Sequence, residues 1–152
     1  MNEEIDLLKT EVSPLLAELA QQYSIEFSAK SSDVLSQFYE KDETARFLFD
    51  SFVTSSSVCQ SCGGVTLTVT EELEKIYADP PLRGKELIEN RIFVFAIDGD
   101  GSFFGFGLDT RKFYHFDFGP WIGEEHPWNE CLSNEWDTEG FCKFFAVEYA
   151  AI

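Results

Sequence analysis

Three consecutive segments, RIFVFAI (91–97), SFFGFGL (102–108) and KFYHFDF (112–118), are dense in apolar and aromatic residues and are separated only by DGDG and DTR. Such residues favour strands, and Asp and Gly tolerate the left-handed backbone that hairpin turns demand. The chain is therefore committed to an antiparallel meander of at least three strands. Sheet faces this apolar must be covered, and the rest of the sequence has to supply the cover.

Helical periodicity supplies it on both sides. Ile5, Leu8, Val12, Leu15, Leu19 and Tyr23 recur every three or four residues, with Ser13-Pro14 suited to a restart or kink, Ser as cap and Pro in the first turn. A second helical segment runs from about Ser32 to Phe52 and is interrupted at its centre by EKDETAR, which leaves one helix or two short ones as the readings. TSSSVCQSCGG (54–64) reads as a loop, VTLTV as a short strand, TEELEKIYA as a helix stopped at Pro80-Pro81, and GKELIEN as another short helix. A last helix from about Thr138 to Ala151 places Phe141, Phe144, Phe145 and Tyr149 on its buried side. The expected architecture is one α+β domain over 1–152. It has a helical part at about 3–53, an antiparallel strand meander at about 65–118 and a C-terminal helix at about 138–151.

Composition is consistent with this. With 152 residues, 44% of them hydrophobic and sixteen of them Phe, the chain is long enough to bury about 70% of its extended surface around an aromatic core. The formal charge of −17 repels a phosphate backbone or an anionic membrane and favours a basic protein as partner. The acidic start MNEEIDLLKTEV is unlike a secretory signal and no apolar run approaches eighteen residues, so a cytoplasmic location is expected, with the four cysteines reduced.

Glycine within the meander needs its own account. Gly105 and Gly107 share one sheet face with Phe103, while Phe104, Phe106 and Leu108 share the other, which leaves room for a helix to lie close over the glycines.

The motifs that could carry chemistry are few. Asp98, Asp100, Ser102 and Asp109 fall at positions one, three, five and twelve of a calcium loop. Position six is Phe103 where a sharp turn needs glycine, and the flanks are strands. As a phosphate cradle the same turn lacks a lysine and opens no helix. Cys59-Gln60-Ser61-Cys62 has redox or half-zinc spacing, but no thioredoxin-like setting surrounds it, and Cys131 and Cys142 do not form a second CxxC. His115 and His126 lie in no nucleophile or metal motif. No metal, cofactor or catalytic residue is assigned.

Between Lys112 and Lys143 stand seven acidic residues and no basic one, with Trp121, Trp128 and Trp136 interleaved. Aromatic anchors ringed by charge suit a protein-binding surface; the alternative is that the tryptophans plug the core and the acids form a solvated rim. The candidate partner-binding set is Asp98, Asp100, Asp117, Trp121, Glu124, Glu125, Trp128, Glu130, Glu135 and Trp136.

IFVFAIDGDGSFFGFGLDTRKFYHFDFG (92–119) resembles the central signature of the SUKH superfamily, which includes bacterial toxin-immunity proteins and fungal Smi/Knr-type cell-wall regulators. The matching positions are Phe93 to Ala96, Gly99 to Ser102, Phe104, Leu108, Asp109 and Tyr114 to Asp117. WDTEGFCKFFAVEYA (136–150) is similar to the family's terminal helix, with Phe141 and Phe145 at its aromatic positions. The family's LPxxY…NG element has its nearest counterpart in CQSCGG and the VTLTVTEELEKIY that follows. The resemblance implies a non-enzymatic α+β domain that binds and neutralises a cognate protein toxin by stoichiometric contact. The acidic charge suits a basic toxin such as a nuclease. A scaffold module of the fungal type, and a thiol- or zinc-dependent protein built on Cys59 and Cys62, are the alternatives.

Overall fold

The computed structural model describes residues 2–55, 60–78, 84–98, 102–117 and 132–151. Four helices come first: α1 (Glu3–Glu11), α2 (Ser13–Tyr23), α3 (Asp33–Tyr39) and α4 (Glu43–Phe52). The hairpin β1 (Gln60–Cys62) and β2 (Val65–Leu67) follows, then α5 (Thr70–Ala78) and α6 (Gly84–Glu89). Next are β3 (Ile92–Ile97), β4 (Phe103–Gly107), β5 (Phe113–Phe116) and β6 (Leu132–Trp136), and α7 (Thr138–Ala150) closes the chain.

Short polar side chains set the helix starts. Asn2, Ser32, Asp42 and Asp137 accept hydrogen bonds from the Ile5, Leu35, Ala45 and Gly140 amides, satisfying donors that the first turn leaves free. Asp42 lies within EKDETAR, so the interrupted pattern of 32–52 is the new cap of α4. The break near Pro14 occurs one residue earlier than expected: buried Val12 takes the cap position without a side-chain bond, and Ser13 is already helical.

The strands lie in sequence order, β1-β2-β3-β4-β5-β6, with every neighbouring pair antiparallel. Phe93 and Phe95, two residues apart, share the face of β3 that meets the helices, and the register shifts between Val94 and Ala96. Phe93 meets Phe38 of α3 and Phe49 of α4, and Phe95 meets Phe52 of α4 and Phe141 of α7. Phe141 stacks on Phe113 of β5 with centroids 4.3 Å apart, and Phe145 meets Phe52 edge-on. Burying each such ring contributes roughly 1.5–3 kcal/mol. This layer of Phe side chains is the core. On α7, Phe141 and Phe145 are buried as expected, whereas Phe144 and Tyr149 are only half-buried.

No atom of a described helix is among the nearest neighbours of a Cβ placed at either strand glycine. A Cβ at Gly105 would come within 2.5 Å of Ile92 Cγ2, and one at Gly107 within 2.3 Å of Thr110 Oγ1 and 3.1 Å of the Tyr114 ring. Side chains of the neighbouring strands and turn, not a helix, fill the space that the glycines leave.

Two strands were not anticipated. Residues 60–62, read as loop, pair with β2, and residues 132–136, read as irregular, pair with β5. No described helix is long and apolar enough to cross a membrane.

Candidate functional site

The register decides how the expected surface is laid out. Phe103 pairs with Phe116 and Phe116 with Leu132, so the end of β3, the start of β4, the end of β5 and the start of β6 share one end of the sheet. Asp98 and Asp117 fall there. Glu135 and Trp136 fall toward the opposite end, beside Tyr114 and Phe113. The structure therefore separates the four described members of the set into two pairs. Asp100, Trp121, Glu124, Glu125, Trp128 and Glu130 lie outside the described residues, as do Cys59 and His126.

At the first end, His115 joins three strands. Its Nε2 lies 3.1 Å from Asp98 Oδ2, and its Nδ1 contacts Ser133 Oγ. Ser133 also donates to the His115 carbonyl at 3.1 Å, and the imidazole packs on Phe104 with centroids 4.7 Å apart. Ser, His and Asp invite comparison with a hydrolytic triad, which needs a serine hydroxyl committed to the base and an oxyanion pocket beside it. Here the hydroxyl is shared with a backbone carbonyl rather than committed to the imidazole. The arrangement acts as a polar staple across the register shift between β5 and β6, holding Asp98 at the sheet end. Sequence reasoning had His115 in no motif, because its partners lie seventeen and eighteen residues away.

At the other end, Glu135 pairs with Lys112 at 3.3 Å, both side chains about half exposed. That pairing offsets part of the negative charge expected of Glu135 and is worth little for stability. Trp136 is half-buried and stacks on Phe144 at 4.5 Å, so this tryptophan anchors α7 and presents only its remaining surface to a partner.

Arg111 belongs to no motif in the sequence. Its backbone is left-handed (φ 59°) in the turn between β4 and β5. The guanidinium binds both carboxylate oxygens of Glu4, Asp42 Oδ2, the Leu108 carbonyl at 3.1 Å and Thr44 Oγ1 at 3.2 Å, and it lies 4.8 Å over Phe106. Hydrogen bonding to Glu4 above all, then to Asp42, raises its pKa further despite partial burial. With two carboxylates set against one fixed cation, the cluster locks α1, α4 and the sheet together. The contact spans more than a hundred residues, beyond any local pattern.

The two described thiols, Cys62 and Cys142, are not activated. Cys62 is buried, and burial followed by the charge of Glu148 pushes its pKa up to about 11. Cys142 is pushed to about 11 by burial and then by Glu11, Asp137 and Glu139. A nucleophilic or metal-binding thiol needs the opposite shift. Among the described residues no three His, Cys, Asp or Glu side chains gather as metal ligands.

No protein-family model matches this chain. Neither a curated protein nor a solved structure matches it.

Proposed function

We propose that this protein binds a basic protein partner and that the partner is a toxin neutralised by the contact, the reading that the SUKH resemblance of 92–119 and 136–150 suggests. One observation carries it: the acidic surplus outlasts internal pairing. Lys30, Arg46, Lys75, Lys85, Arg91, Lys112 and Lys143 each lie within 4 Å of a carboxylate, and Arg111 is held by two. With 28 acidic side chains against 11 basic ones, most carboxylates keep their field for the surroundings. Such a field accelerates encounter with a basic cleft and rejects nucleic acid as a competitor.

Titration against a protein toxin encoded by a neighbouring gene tests the proposal by calorimetry and by toxin activity, and a neighbourhood holding no toxin gene counts against it. A one-to-one complex that abolishes activity, with association slowing as salt rises, is the expected result. A toxin that stays active at saturating concentrations of this protein would overturn it.

A further inference from the structure

The surface of α7 away from the core is unusual for a helix facing water. Within 141–151 the only charged residues are Lys143 and Glu148. Lys143 is paired with Glu139 at 3.2 Å, and Glu148 turns inward to accept from the Gly64 amide at 3.0 Å. The last turns therefore present Ala146, Val147 and Ala150 to solvent, with Val147 70% exposed. A helix apolar on every side is normally covered on every side.

Beside this stripe, a groove of about 260 Å³ is lined by Leu7 and Glu11 from α1 and by Glu139, Cys142, Lys143 and Ala146 from α7. The volume is below the usual range for a small-molecule pocket and fits one or two apolar side chains. Its floor is apolar, and Glu11 and Glu139 stand on its rim. Lys143, paired with Glu139, lines the same groove, so its charged lining keeps a net negative charge through Glu11, and Asp137 adds to the negative field at Cys142. A second copy of a chain carrying −17 would bring like charge against that rim.

We propose that the α1–α7 groove is the seat for a basic segment of the protein partner, one that inserts apolar side chains between Leu7, Cys142 and Ala146 and sets lysine or arginine against Glu11 and Glu139. The inference rests on the reading of this protein as a binder of a basic partner and adds where that partner docks. Exposed Val147 and Ala150 continue the apolar surface of α7 beyond the groove, and the acids select the sign of the charge.

The test uses the full chain, an amphipathic helical peptide of leucine and lysine, and a control peptide with glutamate in place of lysine. Amide spectra are expected to shift at α1 and α7 on adding the lysine peptide and to stay still with the glutamate peptide. Ala146→Arg, at an exposed position, is expected to weaken binding about tenfold while leaving the circular dichroism unchanged. Glu11→Gln with Glu139→Gln is expected to flatten the salt dependence. Shifts spread over other acidic surfaces, or unchanged affinity in Ala146→Arg, would overturn the assignment. So would a dimer of this chain that Ala146→Arg dissociates. The peptide arm needs no toxin, so the groove can fail while toxin binding stands, and toxin binding can fail while the groove stands.

Discussion

The Tyr77 hydroxyl accepts a hydrogen bond from the Val94 amide at 2.7 Å, inside the protein and on the edge of β3. The same oxygen donates to the Ile92 carbonyl, also at 2.7 Å. β2 pairs with β3 only at Thr66 and Ile97, so a side chain from α5 serves the strand where the neighbouring strand does not reach. Burial raises the phenol's pKa, with the Val94 bond opposing it, so it stays a protonated donor.

Tyr77→Phe keeps the ring contact with Phe38 and removes only the oxygen. Two buried backbone groups then lose their partner, a loss of about 2–4 kcal/mol. Urea denaturation should show a lower midpoint at unchanged slope. A loss below about 0.5 kcal/mol would mean that water replaces the hydroxyl.

Arg111→Lys keeps the charge but cannot hold Glu4 in a two-point contact while reaching Asp42 and the Leu108 carbonyl. A destabilisation of about 1–2 kcal/mol is expected, discounted for partial exposure of the group. Thermal unfolding measures it, and Lys30→Gln, whose exposed pair with Glu71 is 3.6 Å long, should change stability by less than about 0.5 kcal/mol.

Gly63 and Gly64 should respond differently to alanine. Gly63 has φ 61°, and its added Cβ would lie 2.4 Å from Glu148 Oε2 and 2.6 Å from the Glu148 carbonyl oxygen. Gly64 would meet nothing closer than 3.6 Å. Gly63→Ala is expected to cost about 1–3 kcal/mol, from left-handed strain and displacement of α7. Gly64→Ala should cost under about 0.5 kcal/mol. Equal effects in chemical denaturation would contradict the close approach of α7 to the β1–β2 turn.

Cys62 and Cys142 make stability fall at high pH. Both thiols have folded pKa values near 11 against an ordinary 9.0, so the folded state holds protons that the unfolded chain releases. Their contribution is complete below about pH 9 and is lost as pH rises toward about 11. Urea midpoints measured across that range should drop further for the native chain than for Cys62→Ala with Cys142→Ala. Parallel curves would exclude the thiols as the cause.

Legibility in the sequence followed the range of the interaction. The strands β3, β4 and β5 and the helix α5 match their expected spans closely, since apolar runs bounded by turn residues or proline are local signals. β6 was missed because LSNEW is an edge strand with Ser133, Asn134 and Glu135 exposed, so no apolar alternation marks it. β1 was missed because three residues of a polar segment become a strand only by pairing with β2. Of the candidate surface, the acidic and aromatic content was readable. That Glu135 is paired with Lys112, that Trp136 packs on Phe144 and that the groove lies between α1 and α7 was not.

By itself the sequence determined the fold class, an antiparallel meander between helices, because alternation, capping and turn chemistry act over a few residues. It also determined the sign of the surface field, since 28 acids against 11 bases cannot be rearranged by folding. Only the tertiary structure decided which carboxylates remain available. Arg111 reaches from a turn near the middle of the sheet to Glu4 and Asp42, Glu148 turns in to Gly64 and Glu139 pairs with Lys143, while Glu11 lines the open groove between α1 and α7. Those assignments depend on distances between residues far apart in the chain, which packing of the Phe core sets and no local pattern encodes.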